Sequence, residues 1–305
     1  MLDSKALSAH FGSRLEKDVR LAEYTTSRVG GLARFCVTAQ SADQLADDFQ
    51  FLWSENIPSV LIGSGSNILI SDLGLEAVVV VNKAKAIEVL TSSDSPVVRA
   101  ESGATLGTVA RQAALKGYAG LEWASTIPGT LGGAIYGNAG AHKSDISQNL
   151  VLADILHREK GRLSLNAGQM AYGYRSSILK REPGSAVVLS ATLKVEKGDS
   201  DQIQKLMAEY SEKRRSTQPP GSSMGSMFKN PEGDHAGRLI EAAGLKGTRI
   251  GGAEVSSIHA NFMINDGSAT AEDIHRLIVL VQNTVQQKLG IKLELEIELL
   301  GKWQD

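Results

Sequence analysis

Between residues 129 and 140 the chain places five glycines (Gly129, Gly132, Gly133, Gly137 and Gly140) within the uncharged stretch 125–142. Average usage of about 7% predicts roughly one. Backbone lies bare in such a run, so its N–H groups can approach a phosphorylated or large flat ligand where a Cβ would collide. The same composition also suits a tight packing site between helices or loops. A second stretch, Leu61-Ile62-Gly63-Ser64-Gly65-Ser66-Asn67-Ile68-Leu69-Ile70, is a strand-like apolar run interrupted by small hydrogen-bonding residues. Two backbone-exposing loops in one chain point to one extended cofactor held from two sides.

Other residues have types suited to charge and proton chemistry, each with a plainer alternative. Arg175 follows Tyr172-Gly173-Tyr174, and a lone arginine near tyrosines is usually a surface cation stacked on a ring. Ser226 lies in Gly225-Ser226-Met227-Phe228-Lys229-Asn230-Pro231. Serine there is more often a turn residue, and a poor acid unless a neighbour stabilises its alkoxide; Lys229, three residues on, could do so. Glu294, Glu296 and Glu298 share one face of an alternating run at about 6.7 Å spacing, a pattern that is usually just solvated.

Spacing excludes several familiar sites. Neither glycine stretch has the Gly-Lys-Ser/Thr of a Walker loop. Gly63 and Gly65 begin a Gly-x-Gly-x-x-Gly fingerprint, but Ile68 fills the last position and a strand follows. The six histidines lack HxxxH or HExxH spacing, and Cys36 is the single cysteine, so no metal site and no internal disulfide is expected. A net charge of -2 provides no global field for nucleic acid or anionic membrane, so any anionic ligand must be gripped locally. No apolar run approaches the ~20 residues of a membrane span. The amino terminus lacks the basic-then-apolar order of a secretory signal, which makes a cytoplasmic location the expectation.

The elements that must position these residues follow from pattern. Residues 1–20 read as a polar, partly helical lead-in. Ser41 and Gln44 form a capping box before a helix that Pro58 bars from continuing. Strands are expected near 32–37, 59–63, 67–71 and 77–82, then at 87–90 and 97–100 around the turn 92–96. A helix from Thr105 to Lys116 stops at Gly117, and strands near 151–157, 162–165 and 186–195 follow. Gly198-Asp199-Ser200 is the boundary candidate. Beyond it come a helix ending in Lys213-Arg214-Arg215, a short helix 234–243 capped by Asp234, and a long helix 271–289 capped by Thr270 and Asp273 and closed by Gly290. A final strand alternates Ile291, Leu293, Leu295, Ile297 and Leu299 inward. The expected division is a lead-in 1–20, a domain 21–197 with subdomains 21–83 and 84–197, and a carboxy-terminal domain 198–305.

With these residues in view, the sequence resembles the UDP-N-acetylenolpyruvoylglucosamine reductase family, from about residue 25 to residue 301. The carriers are 61–69, 127–142, Tyr174-Arg175-Ser176-Ser177, 225–231, 255–262 and Leu293-Glu294-Leu295-Glu296. The resemblance implies an α+β chain: a two-subdomain FAD-binding fold of the PCMH (vanillyl-alcohol-oxidase) type, followed by an α+β substrate-binding domain in the shorter form of the family. It implies FAD as cofactor, NADPH as hydride donor and a UDP-sugar as substrate. By motif position, Gly63, Ser64, Gly65, Ser66, Asn67, Gly129, Gly132, Gly133, Asn138 and Gly140 would hold FAD. Arg175 would stabilise the substrate carboxylate, Ser226 would donate the proton, and Glu296 would be the second acidic group. Tyr174, Arg214, Lys229, Asn230 and His259 would bind substrate, with a hydrogen-bonded loop histidine equally open for His259. Glu298 departs from the arginine usual in the family, leaving Lys292 or Arg249 as substitute cations. A catalytically silent flavin or UDP-sugar binder, and an oxidase of the same FAD fold, are the rival readings.

Overall fold

Helix ends in the computed structural model, which describes residues 4–91 and 95–303, follow the capping residues. Residues 1–3 of the lead-in and 92–94 of the expected turn lie outside the described residues. Ser41 accepts from the Gln44 N–H and opens the helix Ala42–Ser54, while the Gln44 side chain takes the N–H of Gln40 rather than Ser41. Thr105 caps Leu106–Leu115, so the expected first and last helical residues, Thr105 and Lys116, are its two caps. Thr270 and Asp273 close a reciprocal capping box on Ala271–Leu289, and Asp72 accepts from the Ala271 and Glu272 N–H groups, so four donors at this helix start are met by side chains. Gly290, left-handed at φ 71°, ends it.

The chain packs as two compact units that interleave in sequence. One gathers 1–15, 37–64 and 80–214; the other gathers 16–36, 65–79 and 215–305. A break at 198–200 falls at the start of the helix Ser200–Thr217, whose first part packs within the first unit. A linear hydrophobic pattern carries no record of such crossings.

The first unit is built on a five-stranded antiparallel sheet in the order Gly161–Leu165, Leu150–His157, Ala186–Lys194, Val97–Glu101, Ile87–Leu90. Its inward residues, among them Val98, Ala153, Ile155 and Ala191, pack with Trp123 and with Val109, Leu131 and Ile135 of helices Leu106–Leu115 and Leu131–Gly137. Residues 4–15 of the lead-in belong here, while 16–20 fall in the second unit. Leu7 and Phe11 of the helix Ser4–Phe11 are buried, His10 stacks on Phe51 at 3.8 Å, and Arg14 grips the buried Asp48 through two hydrogen bonds of 2.6 and 2.8 Å.

In the second unit, Arg249–Ile250, Ala253–Val255 and Met263–Asn265 form an antiparallel sheet. Helices Ala236–Ala242 and Ala271–Leu289 bury Leu239, Ile240, Leu277 and Val281 in the core that contains it. Ile68–Ile70 pairs in parallel with Glu298–Leu300.

Three local expectations are corrected. The long final strand shrinks to Glu298–Leu300: Leu293 and Ile297 are buried as the alternation required, but among the described residues the stretch 291–297 has only the isolated bridge of Leu295 to Phe228. Alternation reports which residues face a core and does not supply a partner strand. The residue capping Ala236–Ala242 is His235, not Asp234, which is occupied by Arg238; Asn230 takes the Ala236 N–H instead. The glycine-rich stretch is not all loop, since Thr130 caps a helix Leu131–Gly137 within it. Burial of Leu131, Ala134 and Ile135 offsets the glycine penalty there.

Candidate active site

The loop after Ile62 is shaped by close packing. Gly65 is left-handed at φ 62°, and a Cβ on it would sit 1.9 Å from the Tyr24 carbonyl oxygen, so only glycine fits. Thr26 secures it by donating its N–H and its hydroxyl to the Gly65 oxygen. Among the described residues, the N–H groups of Ser64, Gly65, Ser66 and Asn67 and the hydroxyls of Ser64 and Ser66 reach no protein acceptor. Such a row of unspent donors is suited to an anion. Asn67 also joins this loop to the carboxy-terminal segment, since its Nδ2 donates to the Glu296 carbonyl at 3.1 Å and its own carbonyl accepts from the Glu298 N–H at 2.9 Å.

The second glycine stretch is used differently. The N–H groups of Leu131, Gly132 and Gly133 already donate to Ala104, Ser102 and Thr130. Cβ atoms at Gly63, Gly132 and Gly140 would come within 3.0 Å of Thr130, Ser102 and Ser144 respectively, so the packing explanation accounts for these three. Gly133 is exposed and faces only the Thr130 hydroxyl at 3.6 Å, which leaves bare backbone for a flat ligand. Gly129, at φ 113°, sets up the turn into the helix. Asn138 closes that helix in a left-handed conformation, and its buried carboxamide is committed to the chain: Nδ2 donates to Gly173 O at 3.0 Å and Oδ1 accepts from the Ser147 N–H at 3.1 Å.

Two further bonds join the same segments. The Ser177 hydroxyl donates to Tyr136 O at 2.6 Å, and Arg175 Nη2 donates to Gly140 O at 3.0 Å. Arg175 therefore sits on a turn tied at three points to the glycine stretch. Its guanidinium also lies 5.3 Å from the centre of the exposed Tyr174 ring, as the plainer reading of this arginine required. The Tyr172 hydroxyl, in the same segment, is buried without a hydrogen-bond partner among the described residues. Burial, and then Asp145, push its pKa up, so it remains a donor in want of an acceptor. Arg214 is half-buried, and burial alone lowers its pKa.

Ser226, Lys229, Asn230, His259 and Glu296 belong to the second unit. Asn261, 3% exposed, orders their loop: its carbonyl accepts from Met227 N–H, its Oδ1 from Phe228 N–H, and its Nδ2 donates to Phe228 O. Ser226 bridges to Phe262 beside it. Glu296 is brought to this loop by its own N–H, which donates to Met227 O at 2.9 Å. Glu294 instead meets the Lys229 ammonium at 3.3 Å in an exposed pair. His259 Nδ1 accepts from the Asn261 N–H, and burial, the largest influence, lowers its pKa and favours the neutral ring. That is the geometry of a loop-ordering histidine. Arg249 is paired with Glu254 and Asp266, leaving it poorly placed to replace a cation elsewhere.

Sequence reasoning missed part of what holds the loops together. Asn261 was legible as a substrate or loop-ordering candidate, and it orders the loop; Tyr210 and His142, which stack at 3.7 Å, carried no signal beyond an apolar stripe and a loop end.

Residues 33–163 match the family model described as an FAD binding domain, and 217–300 match the carboxy-terminal domain of UDP-N-acetylenolpyruvoylglucosamine reductase. The row of unspent donors at 64–67 fits a diphosphate, and the chain is a flavoprotein of the FAD-binding PCMH type. It is 38% identical over 289 residues to the UDP-N-acetylenolpyruvoylglucosamine reductase of Chloroflexus aurantiacus, covering 94% of this chain and 97% of that one. To reductase 1 of Bacillus cereus it is 39% identical, with 99% of each chain covered. The crystal structure of the Thermus caldophilus reductase superposes with a TM-score of 0.81 at 32% identity, covering 94% of this chain and 99% of that one. The chain belongs to the UDP-N-acetylenolpyruvoylglucosamine reductase family.

Proposed function

We propose that this protein reduces UDP-N-acetylglucosamine enolpyruvate, the substrate in the names of its relatives, to UDP-N-acetylmuramate at the expense of NADPH. The observation that carries the proposal is the joining of the Gly225–Pro231 loop to the Glu296 segment by the Glu296–Met227 hydrogen bond, in a chain matched end to end by reductases. FAD held by this chain would supply hydride-transfer chemistry between NADPH and the enolpyruvyl methylene carbon.

The chain's own residues manage the charge that follows. Hydride addition leaves negative charge on the neighbouring carbon, delocalised into the substrate carboxylate, where Arg175 stabilises it by charge-assisted hydrogen bonds. Ser226 delivers its proton to that carbon, and Glu296 is the second acidic group at the site. Residues 64–67 bind the cofactor diphosphate, and Gly129, Gly132, Gly133, Asn138 and Gly140 shape the bed beside it. Tyr174, Arg214, Lys229, Asn230 and His259 contribute to substrate binding, His259 by ordering its loop and Lys229 in exchange for its exposed partner Glu294. Residues 21–197 carry the flavin functions, and residues 198–305 supply most of the groups assigned to the substrate.

No helix among the described residues is long and apolar enough to cross a membrane. We place the enzyme in the cytoplasm, where its nucleotide substrates are found.

Mixing the purified protein anaerobically with NADPH and then with the enolpyruvyl substrate tests the reading. Loss of the flavin colour followed by its return on substrate addition is expected. Loss without return points to an oxidase of the same fold, and a preparation that NADPH leaves unchanged points to a silent binder. Gly65→Ala is expected to weaken FAD retention by about tenfold or more, because left-handed strain and the Tyr24 clash together displace the loop. Visible absorbance per protein after gel filtration measures this; retention equal to wild type would remove residues 64–67 from the cofactor site.

A further inference from the structure

We infer that Tyr210, through His142, is a positioning residue for Arg175, an inference that rests on the carboxylate-binding role proposed for that arginine. Gly140–Ala141 and Ser144–Asp145 form a small antiparallel ladder. The two residues between them, His142 at φ 53° and Lys143 at φ 65°, are both left-handed. That conformation matches the two-residue hairpin turn in which Asn-Gly is preferred, and neither histidine nor lysine adopts it readily. Something outside the turn has to hold it.

The Tyr210 ring of the helix Ser200–Thr217 lies on the His142 imidazole, centroids 3.7 Å apart and planes 12° from parallel. Tyr210 is itself anchored, packed against the core of the first unit. The stack pins the turn, the turn fixes the ladder, and the ladder presents the Gly140 carbonyl that receives Arg175 Nη2 at 3.0 Å. Burial, followed by Lys213 and Arg214, lowers the His142 pKa, which keeps the stacked ring neutral.

The test compares wild type, Tyr210→Leu and Tyr210→Phe as FAD-loaded proteins. Two measurements are made: backbone hydrogen exchange over 140–145, and calorimetric affinity for UDP-N-acetylmuramate, which bears the carboxylate, relative to UDP-N-acetylglucosamine, which does not. In Tyr210→Leu, faster exchange over 140–145 and a roughly tenfold loss of the preference for the carboxylate ligand are expected, with affinity for UDP-N-acetylglucosamine kept. Tyr210→Phe keeps the ring and is expected to retain both properties. Unchanged exchange in Tyr210→Leu overturns the inference, as does faster exchange with the preference intact, an equal loss of affinity for both ligands, or a Phe variant as impaired as the Leu one. Wild-type protein with no carboxylate preference sinks the role proposed for Arg175, and the inference with it; the exchange data then show whether the stack still orders the turn.

Discussion

Ser226→Ala is expected to leave bleaching of the bound flavin by NADPH within about twofold of wild type while slowing the return of colour on addition of enolpyruvyl substrate by about 100- to 10,000-fold. The split follows from where the proton is needed. NADPH delivers its hydride without a proton from the loop, whereas carbanion character on the substrate collapses to product only when a donor reaches the carbon. Asn261 holds Met227 and Phe228 by three hydrogen bonds, so removing one hydroxyl from the neighbouring residue does not release the loop. Stopped-flow absorbance of the two half-reactions separates the outcomes. Equal slowing of both would assign Ser226 to the architecture of the loop instead of to proton delivery.

The second large effect lies in the lead-in. Asp48 is fully buried and Arg14, with a side chain 29% exposed, is its bidentate partner. Arg14→Ala strands a carboxylate in the core, and a loss of about 3 kcal/mol in unfolding free energy is expected, at the lower end for such pairs because water reaches the Arg14 side. His10 Nε2, at 3.9 Å, is too distant to replace the two short bonds. The double variant Arg14→Met, Asp48→Leu is expected to recover most of the loss, since an apolar pair leaves no unpaired charge. Urea unfolding measures both, and a single-variant cost under about 1 kcal/mol would show that the pair is dispensable.

Helices bounded by strong caps were legible without any structure. Thr270, Asp273 and Gly290 delimit Ala271–Leu289 as the pattern required, and Thr105 with Gly117 delimits Leu106–Leu115. Less legible were elements whose stability comes from elsewhere in the chain. Leu131–Gly137 is a helix because Thr130 caps it and a core receives Leu131 and Ile135, facts that its glycines conceal. Glu16–Arg20 carries no apolar alternation and is a strand only because Leu32–Cys36 pairs with it. The site shows the same division. Motif register singled out Glu296 over Glu294, and the structure supplies a physical counterpart: Glu294 is exposed and engaged by Lys229, while Glu296 is drawn to the Ser226 loop. The distribution of unspent donors was not legible, because composition makes both glycine stretches look alike. One stretch has consumed its amides in a helix start, and the other has kept them.

The parallel ladder between Ile68–Ile70 and Glu298–Leu300 sets a timetable for biogenesis. Asn67 leaves the ribosome 229 residues ahead of Glu296, its hydrogen-bond partner. At roughly 5–20 residues per second the nascent loop waits about 10–50 s for the chain that completes it. The edge of Ile68–Ile70 that Glu298–Leu300 later covers is unpaired throughout that interval, open to wrong pairing unless it is shielded.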